Sequence, residues 1–151
     1  MKPDRSQAGQ AELREAALRL LARREHSFAE LVRKLERKGW PADAVPVVVQ
    51  DLADAGLQSD ERFAEVYIRS RADKAYGPLR IRAELAERGV DRALVNRAMD
   101  EAEIDWLAQA AQWYGRRYDD VPAQDLKEKS RRQQALARRG FDHSVIRELT
   151  D

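Results

Sequence analysis

Residues 35–40, LERKGW, end on a basic residue, a glycine and a large apolar side chain. The same ending returns as LAERGV at 85–90 and as LARRGF at 136–141. The glycines, Gly39, Gly89 and Gly140, stand 50 and 51 residues apart. Aligned on them, the flanks match without a gap. Leu31, Leu35, Trp40, Val45 and Val48 fall on Ile81, Leu85, Val90, Val95 and Ala98, then on Arg132, Leu136, Phe141, Ile146 and Leu149.

The repeated phrase has a mechanical reading. Leu31 and Leu35 are one helical turn apart and share a face, as do Ile81 and Leu85. Lys38, Arg88 or Arg139 then sits in the last turn, where the helix dipole favours a cation. Glycine takes up the left-handed conformation that closes the helix, and the apolar residue after it folds back onto the turn just ended. A link of three residues leads into another helix. Pro41 suits the first turn of that helix in copy one, and Asp91 and Asp142 suit the cap in copies two and three. The valine-rich VPVVVQ at 45–50 therefore reads as helix, with Ala44, Val45, Val48, Val49 and Leu52 inward at helical spacing.

A further helix precedes each pair. The first covers about 11–24, with Leu13, Ala17, Leu20 and Leu21 inward. The second covers about 60–73, capped by Ser59 or Asp60, with Phe63, Val66, Tyr67 and Ser70 inward. The third covers about 104–117, with Trp106, Ala110, Trp113 and Tyr114 inward. The expected fold is all-α: three tandem three-helix repeats in an elongated, curved array. Their bounds are 1–56, 57–103 and 104–151, with roughly the first ten residues disordered.

Composition narrows the function. Of 151 residues, 36% are charged, and 28 Lys and Arg nearly cancel 27 Asp and Glu. Such a balance does not coat DNA through net charge, although a local basic face remains open to the chain. There is no cysteine, and His26 and His143 are far apart, so neither a disulfide nor a metal centre is expected. The opening MKPDRSQAGQAELREAA lacks an apolar core, and no apolar run approaches the roughly 18 residues of a membrane span. A cytoplasmic protein, monomeric in the array reading, is the expectation. No nucleophile has a base beside it, and the single glycines form no phosphate loop, so neither an enzyme nor a cofactor is expected.

Binding is the better-supported activity. Arg69 to Arg82 holds five basic residues and one acid, with Tyr76 among them; Lys127 to Arg139 holds six and one. In the second stretch Arg132 replaces the apolar residue found at Leu31 and Ile81. Either stretch is a solvated face or a contact surface for phosphate or for an acidic protein. A helix-turn-helix-like DNA-binding regulator and a helical adaptor are alternative readings of a three-helix module.

Three longer phrases add a resemblance: LLARREHSFAELVRKLERKGW, GLQSDERFAEVYIRSRADKAYGPLRIRAELAERGV and KEKSRRQQALARRGFDHSVI. With them the chain resembles the RecX family, regulators of the bacterial RecA recombinase, over nearly all its length after the first ten residues. Asp60, Phe63, Ala64, Tyr67, Arg71, Gly77, Arg80, Ile81, Leu85 and Gly89 stand at the family's spacing. The resemblance implies a non-enzymatic partner of RecA and of its filament on single-stranded DNA. It implies inhibition of strand exchange, ATP hydrolysis and coprotease activity, with some affinity for DNA itself, in homologous recombination, DNA repair and the SOS response. Arg71, Lys74, Arg80, Arg82, Lys127, Lys129, Arg131 and Arg132 are then the candidates for filament or phosphate contact.

Overall fold

Each LxxxGΦ ending, where Φ is the apolar residue, is a closed Schellman cap. The Trp40 N–H donates to the Leu35 carbonyl at 3.2 Å, Val90 to Leu85 at 3.1 Å and Phe141 to Leu136 at 3.2 Å. Gly39, Gly89 and Gly140 all turn with positive φ. A computed structural model describes residues 5–151, and among these the chain forms helices and no strand. The helices are α1 (Arg5–Arg23), α2 (Phe28–Arg37), α3 (Val45–Asp54), α4 (Asp60–Asp73), α5 (Pro78–Glu87), α6 (Arg92–Glu101), α7 (Trp106–Tyr118), α8 (Leu126–Arg139) and α9 (His143–Thr150).

Helix starts follow from local chemistry. Ser27 and Glu30 form a capping box on α2. Ser59 Oγ accepts from the Arg62 N–H at 3.1 Å, so Ser59 rather than Asp60 caps α4. Asp91, Asp105, Asp125 and Asp142 cap α6 to α9 in the same way. The first helix is longer than expected, because it begins at Arg5. The expected disorder of the first ten residues gives way to helix from that point, and residues 1–4 lie outside the described residues. Pro41 precedes α3 instead of opening it: the Ala44 and Val45 N–H groups bond back to its carbonyl, and Pro46 occupies the first turn.

Three cores follow, one per repeat. Leu13, Ala17, Leu20, Leu31, Leu35, Val45, Val48, Val49 and Leu52 form the first. Phe63, Ala64, Ile68, Ile81, Leu85, Val90, Val95, Ala98 and Met99 form the second. The third is smaller, with Ala110, Leu136, Phe141 and Ile146 buried, and half-buried Trp106 packs against both it and the second. One expected face is wrong. Val66 is 55% exposed and Ser70 is exposed, because α4 is rotated so that Phe63, Ala64, Ile68 and Ala72 point inward. Apolar spacing from Phe63 fits both stripes. The stripe that wins carries Ala64 and Ile68 into the second core, where α4 lies against α6.

The repeats join end to end through their middle helices. The C-terminus of α5 meets the N-terminus of α2, where Ser27 Oγ donates to the Arg88 carbonyl at 2.7 Å and Arg33 Nη1 to the Glu87 carbonyl at 2.8 Å. Asp60 belongs to this joint, since its carboxylate accepts from the Phe28 N–H at 2.7 Å and from Gln58 at 3.0 Å. The C-terminus of α8 meets the N-terminus of α5 in turn. There the Gly77 N–H donates to the Arg139 carbonyl at 2.6 Å and the Leu79 N–H to the Gly140 carbonyl at 3.0 Å. Orphan carbonyls of one helix thus satisfy orphan N–H groups of another, negative dipole end against positive. The N-terminus of α8 differs. It begins before the residue aligned with Ser27 and Gly77, and Asp125 caps it by accepting from Glu128 N–H at 2.8 Å.

Candidate functional site

The joint between repeats 2 and 3 gathers the basic residues. Arg139, at the end of α8, reaches across to donate to the carbonyls of Ala75 at 2.9 Å and Lys74 at 2.7 Å. Its guanidinium then lies 4.5 Å from the Tyr76 ring centre. The guanidinium groups of Arg71 and Arg80 face the same ring at 3.8 and 4.5 Å. Three cations around one phenol ring need a counter-charge, and Glu84 supplies it. Arg71 binds its carboxylate with both prongs at 2.8 Å, Arg80 Nε approaches at 3.3 Å, and the Tyr67 hydroxyl donates at 2.9 Å. Burial alone would raise the Glu84 pKa, but the hydrogen bonds from Arg71, Tyr67 and Arg80 outweigh it and hold it low. Burial and the bond to Glu84 push the Tyr67 phenol up to about 12.

Beside this hub runs a cleft of about 600 Å³, formed by α7 and α8 of repeat 3 with Arg80 of repeat 2 at its edge. Six arginines line it (Arg80, Arg117, Arg131, Arg132, Arg138 and Arg139) against one acid, Glu128. Trp113 and Tyr118 supply an aromatic wall, their rings edge-on at 6.2 Å. A second cleft, about 410 Å³, lies between repeats 1 and 2. There Arg24, Arg71, Lys74 and Arg88 rim an apolar floor of Phe63, Val66 and Tyr67.

Arg132 is the unexpected member. It stands where Leu31 and Ile81 stand in the other repeats and is only 3% exposed. Its N–H groups donate to the Val121 carbonyl at 2.7 Å, Glu128 at 2.8 Å and the Tyr114 hydroxyl at 3.1 Å, while its Nε has no partner. The Tyr114 and Glu128 bonds raise its pKa further above the ordinary arginine value. The guanidinium also stacks 4.2 Å from the Tyr118 ring centre. An arginine thus fills a core position by carrying its own polar shell inward.

The eight sequence candidates do not form one patch. Arg80, Arg131 and Arg132 meet in the 600 Å³ cleft, and Arg71 and Lys74 share the smaller one. Arg82 faces a third hollow with Arg92 and Asn96. Lys129 pairs with Asp151 at 3.1 Å, and Lys127 stands exposed on the first turn of α8. Arg71 has both prongs occupied by Glu84 and Arg132 is buried, so neither presents a free fork to solvent. Sequence reasoning missed Arg117, Trp113 and Tyr118, and it counted Arg138 and Arg139 in a basic stretch without naming them as contacts. The spacing held a signal: Trp113 and Arg117 are i,i+4, and Arg131 and Arg138 are i,i+7, each pair on one helix face.

Each repeat has its own counterpart among protein families. Residues 14–52, 59–99 and 103–149 match the first, second and third three-helix domains of RecX. The regulatory protein RecX of Halorhodospira halophila is 47% identical over 145 residues, covering 94% of this chain and 89% of that protein. The chain belongs to the RecX family. A RecX of Stenotrophomonas maltophilia, also named a regulatory protein, is 46% identical over 134 residues, 89% of this chain and 82% of its own. Crystal structures show that the fold extends further. RecX from Lactobacillus salivarius superposes with a TM-score of 0.72 at 22% identity, covering 94% of both chains. Another regulatory protein RecX gives 0.74 at 24% identity, over 93% of this chain and 71% of that one.

Proposed function

We propose that this chain regulates RecA by binding it and its filament on single-stranded DNA, inhibiting strand exchange, ATP hydrolysis and coprotease activity. Membership of the RecX family across all three repeats carries this reading. It acts as a binding protein in the cytoplasm, as a monomer and without a reaction or cofactor of its own. The repeat bounds 1–56, 57–103 and 104–151 follow the same logic, each closing after a third helix.

The physical case rests on the distribution of charge. A chain of net charge +1 gains little from DNA at long range. Its cations are instead local: Lys74 and Arg80 stand near the joint between repeats 2 and 3, while Arg82, Lys127, Lys129 and Arg131 reach solvent elsewhere on repeats 2 and 3 to different degrees. Several weak contacts held at a fixed spacing bind a periodic partner far better than an isolated site. Arg71 and Arg132 support that surface from within.

A helix-turn-helix reading fits less well. The recognition helix would be the third of a module, yet in repeat 1 that helix, α3, buries Val45, Val48, Val49 and Leu52 and exposes Asp51 and Asp54. Acids on the exposed face repel the DNA backbone.

The test follows RecA ATP hydrolysis on single-stranded DNA while this chain is added to stoichiometric amounts. Hydrolysis falls, and joint charge reversal at Lys74, Arg82, Lys127 and Arg131 weakens the effect with helicity intact. Unchanged hydrolysis with the native chain would overturn the reading.

A further inference from the structure

We propose that copies of this chain join end to end, with the N-terminus of α8 in one copy seated on the C-terminus of α2 in the next. This goes beyond the regulatory reading, because it concerns two copies of the chain and needs no RecA.

Both joints inside the chain follow one rule: the N-terminus of a middle helix closes on the C-terminus of the next repeat's middle helix. The acceptors are the last carbonyls of that second helix. Glu87 and Arg88 accept from Arg33 and Ser27, while Arg138, Arg139 and Gly140 accept from Arg80, Gly77 and Leu79. Repeat 1 has the same ending with nothing on it. The aligned carbonyls of Arg37, Lys38 and Gly39 accept no hydrogen bond among the described residues. A Cβ on Gly89 would meet Ala29 and one on Gly140 would meet Arg80, each on the incoming helix, whereas one on Gly39 would meet nothing. Lys38 is exposed where Arg88 and Arg139 are half-buried.

The other end of the array carries the matching half. Ser27 and Gly77, which cap α2 and α5, are buried at their joints, and the residues after them, Phe28 and Pro78, are half-buried and buried. On α8 the equivalent pair is Asp125 and Leu126, and both are exposed, Leu126 to 82%. No other large apolar side chain among the described residues is as exposed. Val121 extends this apolar lip across a hollow of about 710 Å³ that Asp120 and Asp125 also border. Covering such side chains supplies the driving force for contact. Charge fits as well. Lys129 in that hollow is held by Asp151 at 3.1 Å, and among the described residues no ion pair involves Asp120 or Asp125 on this end, or Arg37 or Lys38 on the other. Acids and a positive dipole end thus face bases and a negative one.

One chain carries both halves, on its third and first repeats, so the occupant that matches is a second copy continuing the array. Such a contact is heterologous and open, and it builds strings rather than closed dimers. It is also smaller than an internal joint. The α8 cap, Asp125, lies three residues before Glu128, the position aligned with Ser27 and Gly77, so the helix enters by its projecting first turn alone. Dilute chain therefore stays a monomer. Copies side by side on a periodic partner, as in the function proposed above, reach the local concentration at which the contact forms.

The experiment is intermolecular paramagnetic broadening in the chain alone. The sequence has no cysteine, so Lys127→Cys takes a nitroxide at one place, beside Leu126. This labelled chain is mixed with isotope-labelled native chain at about 0.5 mM each, where weak contacts populate. The amides of Lys38, Gly39 and Trp40 broaden and recover on dilution, while those of Gly89 and Gly140 stay sharp. Leu126→Lys in the nitroxide chain weakens association about tenfold. Lys38→Glu in the observed chain weakens it about threefold, and more at low salt. Val66→Lys, which changes an exposed apolar residue elsewhere, stays within about twofold. Circular dichroism checks that the variants are folded. Absence of broadening at Gly39 would overturn the proposal, as would equal broadening at Gly39, Gly89 and Gly140. Broadening confined to the start of α8 would replace it with a symmetric dimer, and an unchanged effect with Leu126→Lys would remove the apolar contact on which it stands. None of these readouts involves RecA, so failure here leaves the regulatory reading standing.

Discussion

Gly39, Gly89 and Gly140 sit at matching places and turn the chain alike, but they meet different surroundings. A Cβ on Gly39 would touch nothing within 4 Å, so only its φ of 99° resists substitution. A Cβ on Gly140, at the same φ, would collide with the backbone of Arg80 across the joint. Gly39→Ala should therefore cost about 1 kcal/mol of unfolding free energy, the strain alone. Gly140→Ala should cost at least about 2 kcal/mol, because two helix ends must also move apart. Urea denaturation of the two variants measures the difference, and equal losses would contradict the joint. Titration gives a second residue-scale expectation. Burial lowers the pKa of His26, which is 1% exposed, while its Nδ1 pairs with the Arg24 carbonyl and its Nε2 with Lys34 Nζ. The unfolded chain then takes up that proton first, so stability falls as pH drops below about 6.5. The lowered Glu84 pKa adds a second loss as pH falls through the carboxylate range near 4. Tyr67 acts in the opposite direction: its stabilisation is complete below pH about 10 and is lost as pH rises towards its folded value of about 12. Thermal melts across pH should show a plateau between these limits, and His26→Gln should remove the upper acid step while leaving the lower.

At the scale of elements, the helices and their caps were legible because they follow from local chemistry. The glycine endings, the aspartate caps of α6 and α9 and the helical reading of VPVVVQ all depend on residues within a few positions of one another. The joints were not legible. That Ser27 donates to a carbonyl 61 residues away, or that Asp60 serves the amide of Phe28, leaves no periodic trace. Arg132 shows the same boundary. Its position in the repeat marked it as a core site, whereas its polar identity suggested an outward role; only the convergence of Tyr114, Val121 and Glu128 lets both hold. The rotation of α4 escaped for a related reason, since Phe63 begins two plausible stripes and packing against α6 selects one. The joints make their own prediction. Arg139→Ala removes two guanidinium bonds to Lys74 and Ala75, worth about 1–2 kcal/mol together at a partly exposed site. Amide exchange at Gly77 and Leu79 should quicken by about tenfold, while exchange at Phe28 in the other joint stays unchanged. Equal acceleration at both would mean that the repeats open as one unit.

Over the whole molecule, three small cores joined end to end make an array whose neighbours touch through helix termini. The joint between repeats 2 and 3 that orients its neighbours also collects arginines, so architecture and proposed binding surface share residues. Arg80 and Arg139 illustrate this, as each bonds across the joint and lines the cleft beside it. The candidate site was legible as two basic stretches in sequence, and their division among three hollows came from the order in which repeats dock. If the account is right, a filament holds this chain by combining contacts that bare DNA offers only in part. Pelleting measures that directly: the labelled chain is spun with RecA filaments on single-stranded DNA, and separately with the same DNA alone, at matched salt. The account predicts saturable co-pelleting with the filament at salt concentrations where DNA alone no longer retains the chain. Equal retention by filament and bare DNA, or none by the filament, would contradict it.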